Sequence, residues 1–134
     1  MSVLLDTHIW IWWVNGEEAL PQRERTKLNQ AALAEVPSLA DFSLWEAQML
    51  YSKKRLVLRK PFAQWLVEAS LPDTVTMLRL TPHVILELEA LPATFPGDPA
   101  DRLIVATARA YGLALHTHDE KIRRSGLVKL WKPR

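Results

Sequence analysis

No cysteine occurs anywhere in the 134 residues, and that one absence removes disulfides, thiolate nucleophiles and cysteine-held zinc together. A reducing cytosol is permitted by it and not demanded. No apolar run is long enough to cross a membrane. The N-terminal stretch MSVLLDTHIWIWWVNG is apolar but short, contains Asp6 and His8, and has neither a basic start nor a small-residue cleavage site, so it reads as neither a span nor a signal peptide. Internal repeats, low-complexity tracts and a dividing linker are also missing. Charge of one sign is weak. A formal net charge of +2 is compatible with a polyanionic ligand but equally ordinary in proteins that never meet one.

What is present is a globular composition, 49% hydrophobic and 24% charged, in a length that fits one domain over residues 1–134. SVLL ahead of Asp6 reads as a short buried strand, and THIWIWWV as a helix apolar nearly all round that must be covered on more than one side. PQRERTKLNQAALAEV, SLWEAQMLYSKKR from Ser43, PFAQWLVEAS and PHVILELEAL read as further helices, TVTMLRL as a strand, and PATFPGDP as a loop. The last third alternates: a helix from about Pro99 to Tyr111 stopped by Gly112, the strand LALHT, a short helix DEKIRRS, and a final strand VKLW. Apolar strands separated by helices predict an α/β layered fold with a mainly parallel sheet, whose ligands bind beyond the carboxyl ends of the strands.

Acidic residues gather in that zone of the sequence. Asp6 closes the first strand, Asp119 follows LALHT, Asp101 lies in the first turn of its helix, and Glu46 lies in the first turn of the helix from Ser43. Each has a structural explanation. SLWE (Ser43 to Glu46) and THDE (Thr117 to Glu120) match the capping box, and DPAD offers Asp98 as N-cap with Pro99 at the first helical position and Asp101 against the helix dipole. Capping explains Asp98 but neither Asp6, at a strand end, nor Asp119, beside a capping glutamate. Carboxylates on one edge repel unless a divalent cation neutralises them, and an all-oxygen set suits Mg2+ or Mn2+.

These segments, LLDTHIWIWW, SLWEAQMLYSKKRLVL and DPADRLIVATARAYGLALHTHDEKI followed by LVKLW, resemble in order the PIN-domain ribonucleases, specifically VapC-like toxins of toxin–antitoxin pairs. The resemblance implies a three-layer PIN-like domain with a central sheet of about five parallel strands and helices on both faces. It implies a Mg2+- or Mn2+-dependent endoribonuclease, with catalytic acids at Asp6, Glu46, Asp101 and Asp119, and metal held by Asp6, Asp101 and Asp119. Asp98 is a further acid of the subgroup. A homodimer, an RNA substrate, a small cognate antitoxin and a cytoplasmic setting are implied as well. The sequence departs from the family at Gly97, where a His often stands, and at PSLADFS, which is less β-like than the usual strand there.

In that chemistry water attacks the phosphodiester, leaving 5'-phosphate and 3'-hydroxyl ends. Thr7 and Thr117 would support it by hydrogen-bonding carboxylates or phosphate, and Arg102 by pairing with an acid or reaching RNA. A rival route uses His116 and His118 as acid and base; they share a strand face, and His116 reads as partly buried and His118 as edge. KKR at Lys53 to Arg55 and KIRR at Lys121 to Arg124 offer basic ground for RNA or simply solvated helix ends. Trp10, Trp12 and Trp13 read as core or subunit packing, and a helix so apolar favours a dimer or antitoxin surface. The alternative of another class is a catalytically silent module that binds RNA or a partner, which has little use for four acids. An aspartyl phosphotransfer protein is disfavoured because His8 stands where a second Asp is needed.

Overall fold

The structure, a computed structural model, describes residues 2–133. Its elements in chain order are β1 (Val3–Leu5), α1 (Thr7–Asn15), α2 (Gln22–Ala34), β2 (Ser38–Ala40), α3 (Phe42–Ser52), α4 (Phe62–Ala69), β3 (Thr76–Leu78), α5 (Pro82–Ala90), α6 (Pro99–Tyr111), β4 (Ala114–His116) and α7 (Glu120–Ser125). The strands form one parallel sheet in the order β3-β2-β1-β4, with Leu4 opposite Ser38 on one side and Leu115 on the other. Parallel pairing requires crossovers, and the helices supply them.

Alternation along the strands builds two cores. Val3 and Leu5 face a cluster with Ile9, Trp10, Leu28, Leu39 and Trp65, while Leu4 faces the opposite cluster with Ala40, Ile104, Val105 and Leu115. The sheet is therefore buried on both faces, the three-layer arrangement that continuous apolar strands demand. Gly112 ends α6 at φ 65°, with its N–H returned to the carbonyls of Ala108 and Arg109.

Two expectations about the sheet change. The final stretch VKLW makes a single parallel bridge, Leu115 to Leu130, held by Leu115 N–H to Lys129 O at 2.8 Å and Trp131 N–H to Leu115 O at 2.9 Å. The sheet thus has four strands, not five. Conversely, SLA within PSLAD, which carries no β-branched residue, is the buried inner strand β2, paired on both sides. Tertiary pairing overrides weak intrinsic β preference there, and the Ser38 hydroxyl meets that of Ser2 at 3.0 Å.

The tryptophans of α1 pack against the core, one of the two roles read from the sequence. Trp10 is fully buried, its indole N–H donating to Ala69 O at 2.8 Å, and burying such a side chain contributes on the order of 2–3 kcal/mol. Trp12 and Trp13 are half-buried against the same core, with Arg25 of α2 donating to both their carbonyls. The exposed large apolar side chains lie elsewhere, among them Leu33, Val57, Val67 and Leu86.

Candidate metal centre

At the carboxyl end of β1, Asp6 leaves the sheet in extended conformation and becomes the N-cap of α1. Both of its carboxylate oxygens are held: Oδ1 accepts from Thr7 N–H at 2.8 Å, and Oδ2 accepts from the Thr117 hydroxyl at 2.6 Å. The Thr117 oxygen in turn accepts from Asp119 N–H at 3.0 Å. A single buried threonine therefore ties the ends of β1 and β4 together through the acids that follow them. The Thr7 hydroxyl gives its proton to Glu46 Oε1 at 2.6 Å, so its 2.8 Å contact with the Ser43 hydroxyl has serine as donor.

Two of the capping boxes do not form. The helix carrying Glu46 begins one residue before Ser43, with Asp41 as its N-cap, and Glu46 is turned inward onto Thr7 instead of back onto the helix start. At the last helix Asp119 itself is the cap, accepting from Ile122 N–H at 3.0 Å, while Thr117 serves Asp6. The box at Asp98 does form: Asp98 Oδ1 accepts from Asp101 N–H at 2.9 Å, and Asp101 reaches back to Asp98 N–H at 3.4 Å. Arg102 pairs with no acid of the pocket among the described residues; it donates to Phe95 O at 3.0 Å and Pro92 O at 3.4 Å, bracing the proline-rich loop.

The carboxylates feel one another. Burial pushes the Asp6 carboxyl above its ordinary range, against the Thr117 hydrogen bond, the charge of His8 and the Thr7 amide, and the negative charge of Asp119 adds to the rise. Glu46 is raised by burial and by Asp6 and Asp98, although the Thr7 hydroxyl opposes this. Asp101 is raised by burial and then by Asp119, Asp98 and Asp6. Clustered acids of this kind favour either protons or a cation. Lys121 reaches Asp101 at only 3.7 Å from a half-exposed position, a weak counter-charge.

The donors are all oxygens, which fits a hard divalent ion. Among the described residues the acids are not drawn within 4.8 Å of one another in threes, so an ion among them would keep part of its water shell, as magnesium does. A tighter group lies on the other side of Thr117. His116 and His118 each place Nε2 at 2.7 Å from Glu24 Oε1. His116 is buried and His118 lies at the edge, as their sequence positions imply, but both rings turn to Glu24, away from Asp6. Burial lowers the His116 pKa despite that partner. Burial draws Glu24 upward, yet the His116 and His118 hydrogen bonds hold it below its usual value. Sequence reasoning missed Glu24, which lies in the first turn of a basic, solvent-facing helix, 92 residues from its partner His116.

Beside Asp101, Lys121 continues into a cavity of about 330 Å3 lined by Phe95, Pro96, Arg124 and Leu127. A larger open groove of about 840 Å3 runs over Trp13, Val14, Leu33, Val57, Leu58 and Trp65.

Residues 3–126 match the PIN domain family. Over 123 residues, 91% of this chain and 90% of the other, the sequence is 40% identical to Ribonuclease VapC22 of Mycobacterium tuberculosis. Among solved structures, the fold is similar to a chain in VapBC2 from Rickettsia felis bound to a DNA fragment from their promoter, with a TM-score of 0.75 and 20% identity over 98% of both chains. It is also similar to a chain of FitAcB from Neisseria gonorrhoeae, with a TM-score of 0.64 and 22% identity over 98% of this chain and 97% of that one. At those identities the two structures speak for the fold alone.

Proposed function

The chain belongs to the PIN domain family, and from that premise we propose that it is a Mg2+- or Mn2+-dependent endoribonuclease, the toxin of a toxin–antitoxin pair. The observation that carries the reading is the hydrogen-bonded cluster at the carboxyl ends of β1 and β4, in which Thr117 joins Asp6 to Asp119 and Thr7 joins Asp6 to Glu46, and where burial raises the carboxyls of Asp6, Glu46 and Asp101. The relative named Ribonuclease VapC22 supports the activity.

Asp6, Asp101 and Asp119 would hold the ion, directly or through water. When bound, the ion supplies positive charge to the scissile phosphate and makes water a better nucleophile. Asp6 is preorganised for this, since Thr7 and Thr117 fix both its oxygens. Asp101 is aimed by its reciprocal bonds with Asp98. Glu46, its proton affinity raised and its Oε1 held by Thr7, would accept a proton from the attacking water. Lys121 and Arg124 beside the pocket would meet RNA phosphates.

A VapB-like antitoxin is the proposed inhibitor, and the groove over Trp13, Leu33, Val57 and Trp65, with Arg59 and Lys60 on its rim, suits an amphipathic segment. A homodimer is part of the same proposal, as is a cytoplasmic setting; no helix among the described residues is long and apolar enough to cross a membrane.

The test is cleavage of end-labelled RNA by purified protein. Magnesium or manganese should support it, chelation should abolish it, and products should carry 5'-phosphates. Full activity in excess chelator would overturn the reading in favour of His116 and His118. Toxicity on expression, relieved by a neighbouring small reading frame, tests the biological half.

A further inference from the structure

The four acids do not account for the tightest ligand constellation among the described residues. Glu24 Oε1, His116 Nε2 and His118 Nε2 all lie within 4.8 Å of one another, on the far side of Thr117 from Asp6. Period two along the end of β4 explains the separation: Thr117 points to the acids, while its two neighbours point to α2. We propose that Glu24, His116 and His118 form a second metal site, selective for Zn2+ or a similar late first-row ion, that clamps α2 to the end of β4.

The donor set argues for the ion class. Two imidazoles and one carboxylate are a borderline set that prefers zinc, whereas the all-oxygen pocket beside it prefers magnesium or manganese. Two different ions are thereby sorted between neighbouring sites. The geometry needs little change. Each histidine nitrogen is now 2.7 Å from the same Glu24 oxygen, and a tetrahedral ion with bonds of about 2.0–2.1 Å needs roughly 3.3 Å between donors. His116 is locked in the core beside Trp131, at 4.4 Å between ring centroids. His118, with a side chain 36% exposed, has room to swing outward and leaves the fourth position to water.

One feature limits the affinity. His116 Nδ1 is buried with no hydrogen-bond partner among the described residues, and metal-binding imidazoles ordinarily donate that second N–H. Its lack is expected to weaken binding roughly 10–100-fold relative to a fully supported site. The ion's role is that of a cross-link. Glu24 and His116 are 92 residues apart, and the clamped segment contains Thr117, which holds Asp6.

The experiment is calorimetric titration of the whole protein with ZnCl2 in millimolar magnesium, repeated on His118→Gln and Glu24→Gln, with thermal unfolding alongside. One equivalent of zinc should bind the wild-type protein, and at a hundredfold excess over Kd the Tm should rise by roughly 5–10 °C. Both variants should lose the binding and the Tm rise while circular dichroism shows them folded. In Asp6→Asn the zinc equivalent should remain, which separates this site from the acidic pocket and from the ribonuclease reading. No zinc binding by the wild-type protein, or undiminished binding by folded His118→Gln, would overturn the proposal and leave a hydrogen-bonded triad.

Discussion

Thr117→Val is the perturbation with the most to say about how the acidic pocket is built. The side chains are nearly isosteric and the position is fully buried, so the packing survives and two hydrogen bonds do not. The first, to Asp6 Oδ2 at 2.6 Å, is to a charged acceptor, and such bonds contribute about 1.5–3 kcal/mol. The second, from Asp119 N–H at 3.0 Å, leaves a partly buried donor that water at the pocket mouth can reach, at a cost of about 0.5–1 kcal/mol. Together the loss is about 2–4 kcal/mol, a large part of the marginal stability of a small domain. For a chain of 134 residues that corresponds to a fall in Tm of roughly 6–15 °C. The assay is thermal and urea unfolding at pH 8 without metal, with Thr117→Ser as the control that keeps both bonds. A valine variant within about 0.5 kcal/mol of wild type would refute the claim that this hydroxyl positions Asp6.

The raised carboxyls fix a pH dependence. Asp6, Glu46 and Asp101 sit above their ordinary values of 3.8, 4.5 and 3.8, so the native state binds more protons than the unfolded chain just above those values. Their contribution to stability therefore falls as pH rises through that window, while cation affinity rises over it. As pH rises from about 4 towards neutrality, the metal-free Tm of Asp101→Asn should gain on that of wild type, because the variant lacks one of the raised carboxyls, and the Tm gain from Mn2+ should grow with pH; parallel curves for the two proteins would count against it. Gly97→Ala should impair cleavage at least tenfold with a loss of about 1–3 kcal/mol in stability, because an added Cβ would lie 2.8 Å from Asp101 Cβ and 3.1 Å from the Phe95 ring. Wild-type kinetics in that variant would show that the loop yields without moving Asp101.

The layered fold was legible because its signals are local. The apolar strand SVLL, the Asp-Pro start and Gly stop of α6, and the return to an apolar strand each follow from a few adjacent residues. β2 was not legible, since Ser38 and Ala40 have no strand preference and only pairing with β1 and β3 makes them one. The last strand was over-read, because VKLW is apolar enough to pair but meets the sheet at Leu115 alone. In the candidate site, the acids were named from their places at strand and helix ends. Thr7 and Thr117 do hydrogen-bond carboxylates, as their places beside the acids implied, whereas the capping boxes read from SLWE and THDE do not form, because the partners of Glu46 and Thr117, Thr7 and Asp6, are 39 and 111 residues away. Glu24 and Arg102 fail for the same reason: local sequence shows a charge and does not show which distant group it meets.

If Asp6, Glu46, Asp101 and Asp119 surround the ion that serves hydrolysis, crystals grown with MnCl2 and measured at the manganese absorption edge will show it there. An anomalous peak is expected among those carboxylates and should be absent from crystals of the Asp101→Asn variant. A peak confined to Glu24, His116 and His118, or none in a protein that cleaves RNA under the same conditions, would contradict it.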